Sequence, residues 1–470
     1  MKKHVNESIV YIATDRLYAG RMRAYGGYNY MPNIEKLVKF GTKYNNATAT
    51  AGSTLMTHSA EWTGRYTADL HGEIPHKERL YNTKMPAQDT VFTDLIAKGY
   101  NIYIVLVHKR PGKTYDSFKP VYNLWPKEAK IVKIPDWDIK GGENLRRKDQ
   151  IMKAAELISE SEKEGKPAFV FIKCHGYNKS EYRAEYLRYA NQQRVTDDDL
   201  YNAEIDEALG HLMSHYNYPS KECPTIWFAS DHGSWAGEKF RNHYGYHLHQ
   251  EIVHVPLICS RGEGKVVDSV FSMKEVRRLI TNNSPKMSER FIFAETLYPG
   301  QVTNKPDNGI ESTASIMVRL NRYKYIYSMY GPEGDSEATE ELYDLAYDPR
   351  EKFNLAAAFS HTHKDVARPS EGGVPFHHVS SRLNSNIEFI SESKTLNNLI
   401  FSEVIDVPVE QNTGLDSRTE QFKGKINPYV IRRAPFKIYE IINPLNTNLS
   451  LIHISEPTRR YAISYAVFCL

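Results

Sequence analysis

Cysteine is scarce in this chain. There are four in 470 residues (Cys174, Cys223, Cys259, Cys469), and none stands in Cys-x-x-Cys spacing. That argues against a disulfide framework and a thiolate zinc site, and fits a reducing, cytoplasmic setting. Long apolar runs are missing as well. No stretch reaches the roughly 18 apolar residues of a membrane-spanning helix. The opening Met-Lys-Lys-His-Val-Asn-Glu is not followed by an apolar segment of signal-peptide length, since Ile9–Ala13 is short and suits a strand. An excess of one charge is lacking too. With 60 basic and 57 acidic residues the net charge is +3, too balanced to argue for a nucleic-acid or membrane partner. No internal repeat is visible.

What is present is ordinary globular material. Hydrophobic residues make up 41% and charged residues 25%, enough for a sizeable core. The length suits one large catalytic domain with an appendage, or two to three modules. Short β-rich apolar runs recur: Ser8–Ala13, Tyr100–Val107, Pro167–Ile172, Thr225–Ala229 and Val255–Cys259. Helical patterns fall between them, at Pro32–Phe40, Thr93–Lys98, Asp149–Glu164 and Leu200–Met213. Strands alternating with helices predict an α/β fold with a mostly parallel sheet flanked by helices. After about residue 300 the texture changes. Ser315–Tyr327 predicts a hairpin turning at Asn321-Arg322, and Glu341–Leu345 a further strand, hence a small C-terminal antiparallel subdomain. The expected division is 1–300, 301–360 and an extension 361–470 of weak periodicity. The last ~20 residues, from Ile452 onward, resemble translated adapter read-through and are expected to be non-native.

Polar groups gather at strand ends, where open α/β sheets place ligands. Asp15 ends the first strand, and Asp231-His232-Gly233 ends a later one. Between them lies Thr54-Leu-Met-Thr-His58-Ser-Ala-Glu-Trp-Thr-Gly-Arg65, a hydroxyl opening a helix with a histidine one turn on. Alone, each has a plainer use: Asp15 and Thr54 suit turns and helix caps, and His232 suits a solvated strand end. Together, carboxylate, hydroxyl, carboxylate and imidazole are what a divalent metal beside an oxygen nucleophile requires.

Four blocks in order carry a family resemblance. They are Ile-Val-Tyr-Ile-Ala-Thr-Asp15 with Met31-Pro-Asn-Ile-Glu-Lys-Leu37, then Thr54–Tyr66, then Phe228–Gly233 with Val255–Ile258, and last Tyr323-Lys-Tyr-Ile326 with Leu342–Leu355. The chain resembles the sulfatase branch of the alkaline phosphatase superfamily. The resemblance implies an alkaline-phosphatase-like fold and one divalent metal (Ca²⁺, Mg²⁺, Mn²⁺ or Zn²⁺) held by Asp15, Thr54, Asp231 and His232. It implies Thr54 as nucleophile. His58 stands where the family has an arginine, and is either a hydrogen-bond donor to the substrate anion or a structural histidine. Lys109 and His175 follow strands where the family binds substrate, and His243 and His247 compete for a late histidine position. The implied substrate is a small-molecule, glycan-linked or lipid-linked ester. A sulfatase converts Cys or Ser at the nucleophile position to an aldehyde, and threonine cannot follow that route. The expectation is therefore phosphate-ester chemistry ahead of sulfate, by hydrolysis or by transfer. The other outcomes kept open are a sulfuric ester hydrolase and a non-catalytic binding or scaffold protein.

Overall fold

The computed structural model describes residues 7–66, 89–108, 123–135, 145–174, 197–236, 242–243, 247–282, 292–296, 312–320, 322–330 and 337–355. The chain divides into two compact units. The first takes Met1–Tyr66, Leu80–Gly245 and Glu251–Ser288, and the second includes the described segments 247–250 and 292–355.

The first unit is built on an eight-stranded sheet. In chain order its strands are β1 (Ile9–Thr14), β2 (Thr42–Thr48), β3 (Asn101–His108), β4 (Lys130–Pro135), β5 (Ala168–Cys174), β6 (Thr225–Ser230), β9 (Leu257–Cys259) and β10 (Lys265–Ser272). Between β6 and β9 lie β7 (Trp235–Ala236) and β8 (Asn242–His243), which pair with each other. The sheet order is β10-β2-β9-β6-β1-β5-β3-β4. All neighbours are parallel except β9, which runs antiparallel to both β2 and β6. The centre is the most apolar part. β1 and β5 are buried on both faces along their whole length, which is why they lack the polar alternation of a half-exposed strand.

Helices cover both faces. They are α1 (Pro32–Phe40), α2 (Thr54–Thr63), α3 (Val91–Ala97), α4 (Leu145–Lys163), α5 (Asp197–His215) and α6 (Val276–Asn282). On one face Val10, Ile12, Val170, Ile172, Ile226 and Phe228 meet Ile34 and Leu37 of α1, Ile151 and Ile158 of α4, and Leu209 and Leu212 of α5. The alternate residues of the same strands point the other way into an aromatic layer. Tyr11 stacks on Phe171, and Trp62 of α2 packs against Phe92, Trp125 and Phe171 at centroid distances of 5.4–5.9 Å. The period-two alternation of the central strands thus supplies two cores at once.

Helix α1 has Pro32 in its first turn, and Asp206 of α5 accepts the backbone N–H groups of Asn33 and Ile34. A side chain from a neighbouring helix thereby satisfies donors that every helix N-terminus leaves open. Helix α2 ends on Gly64, in the left-handed region at φ 71°. Arg277 of α6 donates to the carbonyl of Thr63 at 2.8 Å and grips Asp94 of α3 through two hydrogen bonds of 2.7 and 2.9 Å. That clamp fixes the far end of α2.

The second unit contains a four-stranded antiparallel sheet, β11 (Ile292–Thr296), β12 (Ser312–Leu320), β13 (Tyr323–Tyr330) and β14 (Glu337–Asp344), in sequential order. The hairpin predicted around 321–322 is the β12–β13 pair, with Leu320 opposite Tyr323. A buried ion pair, Lys324 with Glu351 at 2.7 Å, lies beside it. The extension 361–470 lies outside the described residues. Among the described residues, no helix is long and apolar enough to cross a membrane.

Candidate active site

Parallel pairing places the site. In the β1–β6 register Thr14 is opposite Ser230, so Asp15 and Asp231 leave adjacent strands at the same level. Ser230 ties the two ends together: its hydroxyl accepts the backbone N–H of Leu17 at 3.0 Å and donates to the His232 carbonyl at 2.8 Å. The N–H of Asp231 reaches the Thr14 carbonyl at 3.3 Å. Asp15, Asp231 and His232 are all buried, and one ligand atom from each lies within 4.8 Å of the others.

The geometry of His232 is what makes this group suited to a metal. Its Nδ1–H donates to the carbonyl of Gly233 at 2.8 Å. That fixes the tautomer and leaves the Nε2 lone pair facing inward. Nε2 lies 3.5 Å from Asp15 Oδ1 and 3.7 Å from Asp231 Oδ2. Asp231 Oδ1 is occupied separately, accepting the His232 backbone N–H at 2.9 Å. Two carboxylate oxygens and one imidazole nitrogen converging from buried strand ends are a donor set that fits a divalent cation. Gly233 is required here by space. A Cβ built on it would stand 2.0 Å from the carbonyl oxygen of Glu251. The Gly233 N–H meanwhile bonds the Ile252 carbonyl at 2.7 Å.

Thr54 joins this group from the other side. It is the first residue of α2, and its Oγ1 donates to His232 Nε2 at 3.3 Å. Its neighbours along the helix are committed elsewhere. The hydroxyls of Thr57, Ser59 and Thr63 donate to the carbonyls of Ala51, Met56 and Ser59. Thr54 therefore presents its hydroxyl to the cluster at the amino end of a buried helix, where backbone N–H groups favour an anion.

His58 is fully buried one turn further on. It stacks flat on Trp62, with centroids 5.3 Å apart, and meets the edge of Phe171. Its Nδ1 lies 2.6 Å from Glu61 Oε2, and its Nε2 is 3.9 Å from Asp231 Oδ2. Burial, helped by the Lys173 ammonium and opposed by Asp231, lowers its pKa to about 3, so the ring is neutral. Burial and the Asp231 charge push the Glu61 carboxyl well above its ordinary range. A neutral pair is thus packed directly behind the carboxylate cluster. Asp231 behaves oppositely. Burial would raise it, but its neighbour His232 and the Lys173 ammonium, which donates to Oδ2 at 2.6 Å, outweigh burial and hold it ionised far below the usual carboxylate range.

Of the residues singled out from sequence, Asp15, Thr54, His58, Asp231 and His232 come together. Lys109 and His175 lie outside the described residues. His243 belongs to β8, and His247 is buried in the second unit, its ring 5.8 Å from that of His249. Two residues were missed. Lys173 of β5, with no exposed surface, donates to Asp231 Oδ2 at 2.6 Å and to the Thr14 carbonyl at 3.2 Å. Glu61 orients His58. A signal for Lys173 existed: a lysine inside an otherwise unbroken apolar strand needs a buried partner.

A family profile described as Sulfatase matches residues 7–298. No curated protein sequence matches the chain. Among solved structures, the chain is similar to a phosphonate monoester hydrolase of Agrobacterium radiobacter, with TM-score 0.51 and 15% identity over 83% of this chain and 96% of that one. It is similar to a 4S-sulf protein from a glycosaminoglycan-metabolising locus of Bacteroides thetaiotaomicron, with TM-score 0.54 and 12% identity over 82% and 96%. A 2-O GAG sulfatase gives TM-score 0.51 and 16% identity over 82% and 92%. At such identities the likeness speaks for the fold alone. The profile match, spanning more than half of the chain and running through both strand-end carboxylates and the helix between them, establishes that the chain belongs to the sulfatase family.

Proposed function

We propose that this member of the family is a metal-dependent hydrolase or transferase of phosphate or phosphonate esters that uses Thr54 as its nucleophile. The observation carrying this reading is the Thr54 hydroxyl at 3.3 Å from His232 Nε2, at the head of a buried helix and beside two strand-end carboxylates. A divalent ion held by Asp15, Asp231 and His232 would lower the pKa of a neighbouring hydroxyl and neutralise substrate charge. The Oγ1–P bond would form as the P–O bond to the leaving group breaks, the Thr54 hydroxyl proton passing through solvent to the departing oxygen, which leaves as the alcohol. Water or an acceptor alcohol then takes the phosphoryl group from Thr54. Asp231 stays ionised, and neutral His58, braced by Glu61, packs behind it with Nε2 3.9 Å from Oδ2. The amino end of α2 favours the anionic ester. The three described cysteines are buried thiols whose pKa values burial raises to about 11 to 12, which makes them poor nucleophiles.

A sulfuric ester hydrolase is the second reading, supported by the Sulfatase profile itself. Turnover of an aryl phosphodiester, an aryl phosphonate monoester, an aryl phosphomonoester and an aryl sulfate, each with Mn²⁺, Mg²⁺, Ca²⁺ and Zn²⁺, separates the two. The proposal expects phosphorus esters to lead and Thr54→Ala to abolish turnover. Dominant sulfatase activity would favour the second reading. No turnover together with no metal binding would leave a binding protein.

A further inference from the structure

Lys173 has no place in the chemistry above, yet among the described residues it is the cation nearest the candidate metal ligands. Its side chain has no exposed surface, and its ammonium lies 2.6 Å from Asp231 Oδ2. That oxygen is the one facing His232 Nε2, because Oδ1 is bound to the His232 backbone N–H. The strand register explains the placement. Lys173 pairs with Ala13 on β1, so its side chain rises between the ends of β1 and β6, and its second bond is to the Thr14 carbonyl. The donor group carries two carboxylate charges, of which Lys173 already neutralises one. A buried ammonium that shares a ligand oxygen with a divalent ion repels that ion through a low-dielectric interior.

We propose that Lys173 is an affinity-setting residue of the metal site. It holds Asp231 in place while no metal is bound, and it keeps a bound divalent ion loosely held. This rests on the metal reading given above. The ammonium does not touch the reacting atoms in this account and acts through Asp231. Removing it uncovers a carboxylate charge for the metal alone. The affinity for a divalent ion should then rise by at least about tenfold, as loss of one close like charge implies.

The test is Mn²⁺ binding to the full chain, measured by isothermal titration and by the loss of the free-ion paramagnetic resonance signal. Wild type, Lys173→Met and Asp231→Asn are compared, with folding checked by circular dichroism. The expected result is one weak site in wild type, at least about tenfold tighter binding in Lys173→Met, and loss in Asp231→Asn. If the methionine variant does not fold without metal, Lys173→Gln, which keeps a donor to Asp231 but no charge, carries the same expectation. Equal or weaker Mn²⁺ binding in a folded Lys173 variant, with Asp231→Asn still abolishing it, overturns the inference and leaves the metal site standing. Folded wild type and Lys173 variants that both fail to bind Mn²⁺ overturn the metal reading and this inference together.

Discussion

Acid should unfold this protein through His58. The imidazole is sealed between Trp62, Phe171 and Glu61 and is neutral, with its pKa lowered to about 3 from an ordinary 6.5. The sign follows from proton counting. Between those two values the unfolded chain binds a proton at His58 that the folded chain does not, so stability rises with pH in that window and falls as pH drops. The contribution is complete above pH 6.5 and is lost as pH falls toward 3. At pH 4 the gap to the unfolded value is roughly 2.5 units, which converts to about 3 kcal/mol. Glu61 titrates in the opposite sense but is present in both proteins compared. The assay is urea unfolding of wild type and His58→Gln in EDTA, at pH 7 and pH 4. Glutamine keeps a polar partner for Glu61 and cannot charge. Its packing loss is the same at both pH values and cancels in the difference. Wild type should lose about 3 kcal/mol more than the variant on going from pH 7 to pH 4. A difference that stays flat to within about 0.5 kcal/mol would refute the sealed neutral histidine.

Other consequences are as direct. Thr54→Ala should lower turnover of the preferred ester by at least about a thousandfold with little change in thermal midpoint, while Thr54→Ser keeps part of the activity. Kinetics with melting curves decides this. Gly233→Ala would put a methyl 2.0 Å from the Glu251 carbonyl oxygen, so backbone must move and the His232–Gly233 bond with it. About 1–3 kcal/mol of stability and roughly tenfold in Mn²⁺ affinity should be lost, read by denaturation and calorimetry. Saturating Mn²⁺ at about 100 times its dissociation constant should stabilise wild type by about 2.7 kcal/mol, and Asp15→Asn should remove that gain. Thermal shift against Mn²⁺ concentration reads it.

The parts of the fold that were legible in the sequence are those where burial is complete. β1, β5 and β6 are continuous apolar runs, and each was placed within a residue or two. β2, with the sequence TKYNNAT, and β10, with KVVDSVFS, were not recognised. β10 is an edge strand whose Lys265 and Val266 face solvent, so neither its hydrophobicity nor its alternation marks it. The antiparallel direction of β9 was invisible because three residues carry no directional signal. In the site, Asp15, Asp231 and His232 were legible because strand-end acids and a following glycine form a local pattern. Lys173 and Glu61 were not, because each matters only through a residue distant in sequence or one helical turn away. The Lys173–Asp231 contact spans 58 positions, and only the parallel register of β5, β1 and β6 brings it about.

The central claim is that Thr54 carries the transferred group. The direct measurement is mass spectrometry of protein acid-quenched during turnover of an aryl phosphodiester or phosphonate monoester in Mn²⁺, followed by proteolysis. The account predicts a phosphoryl or phosphonyl adduct on the peptide containing Thr54, appearing with turnover and absent from Thr54→Ala. Full turnover with no adduct, and undiminished activity in Thr54→Ala, would contradict it.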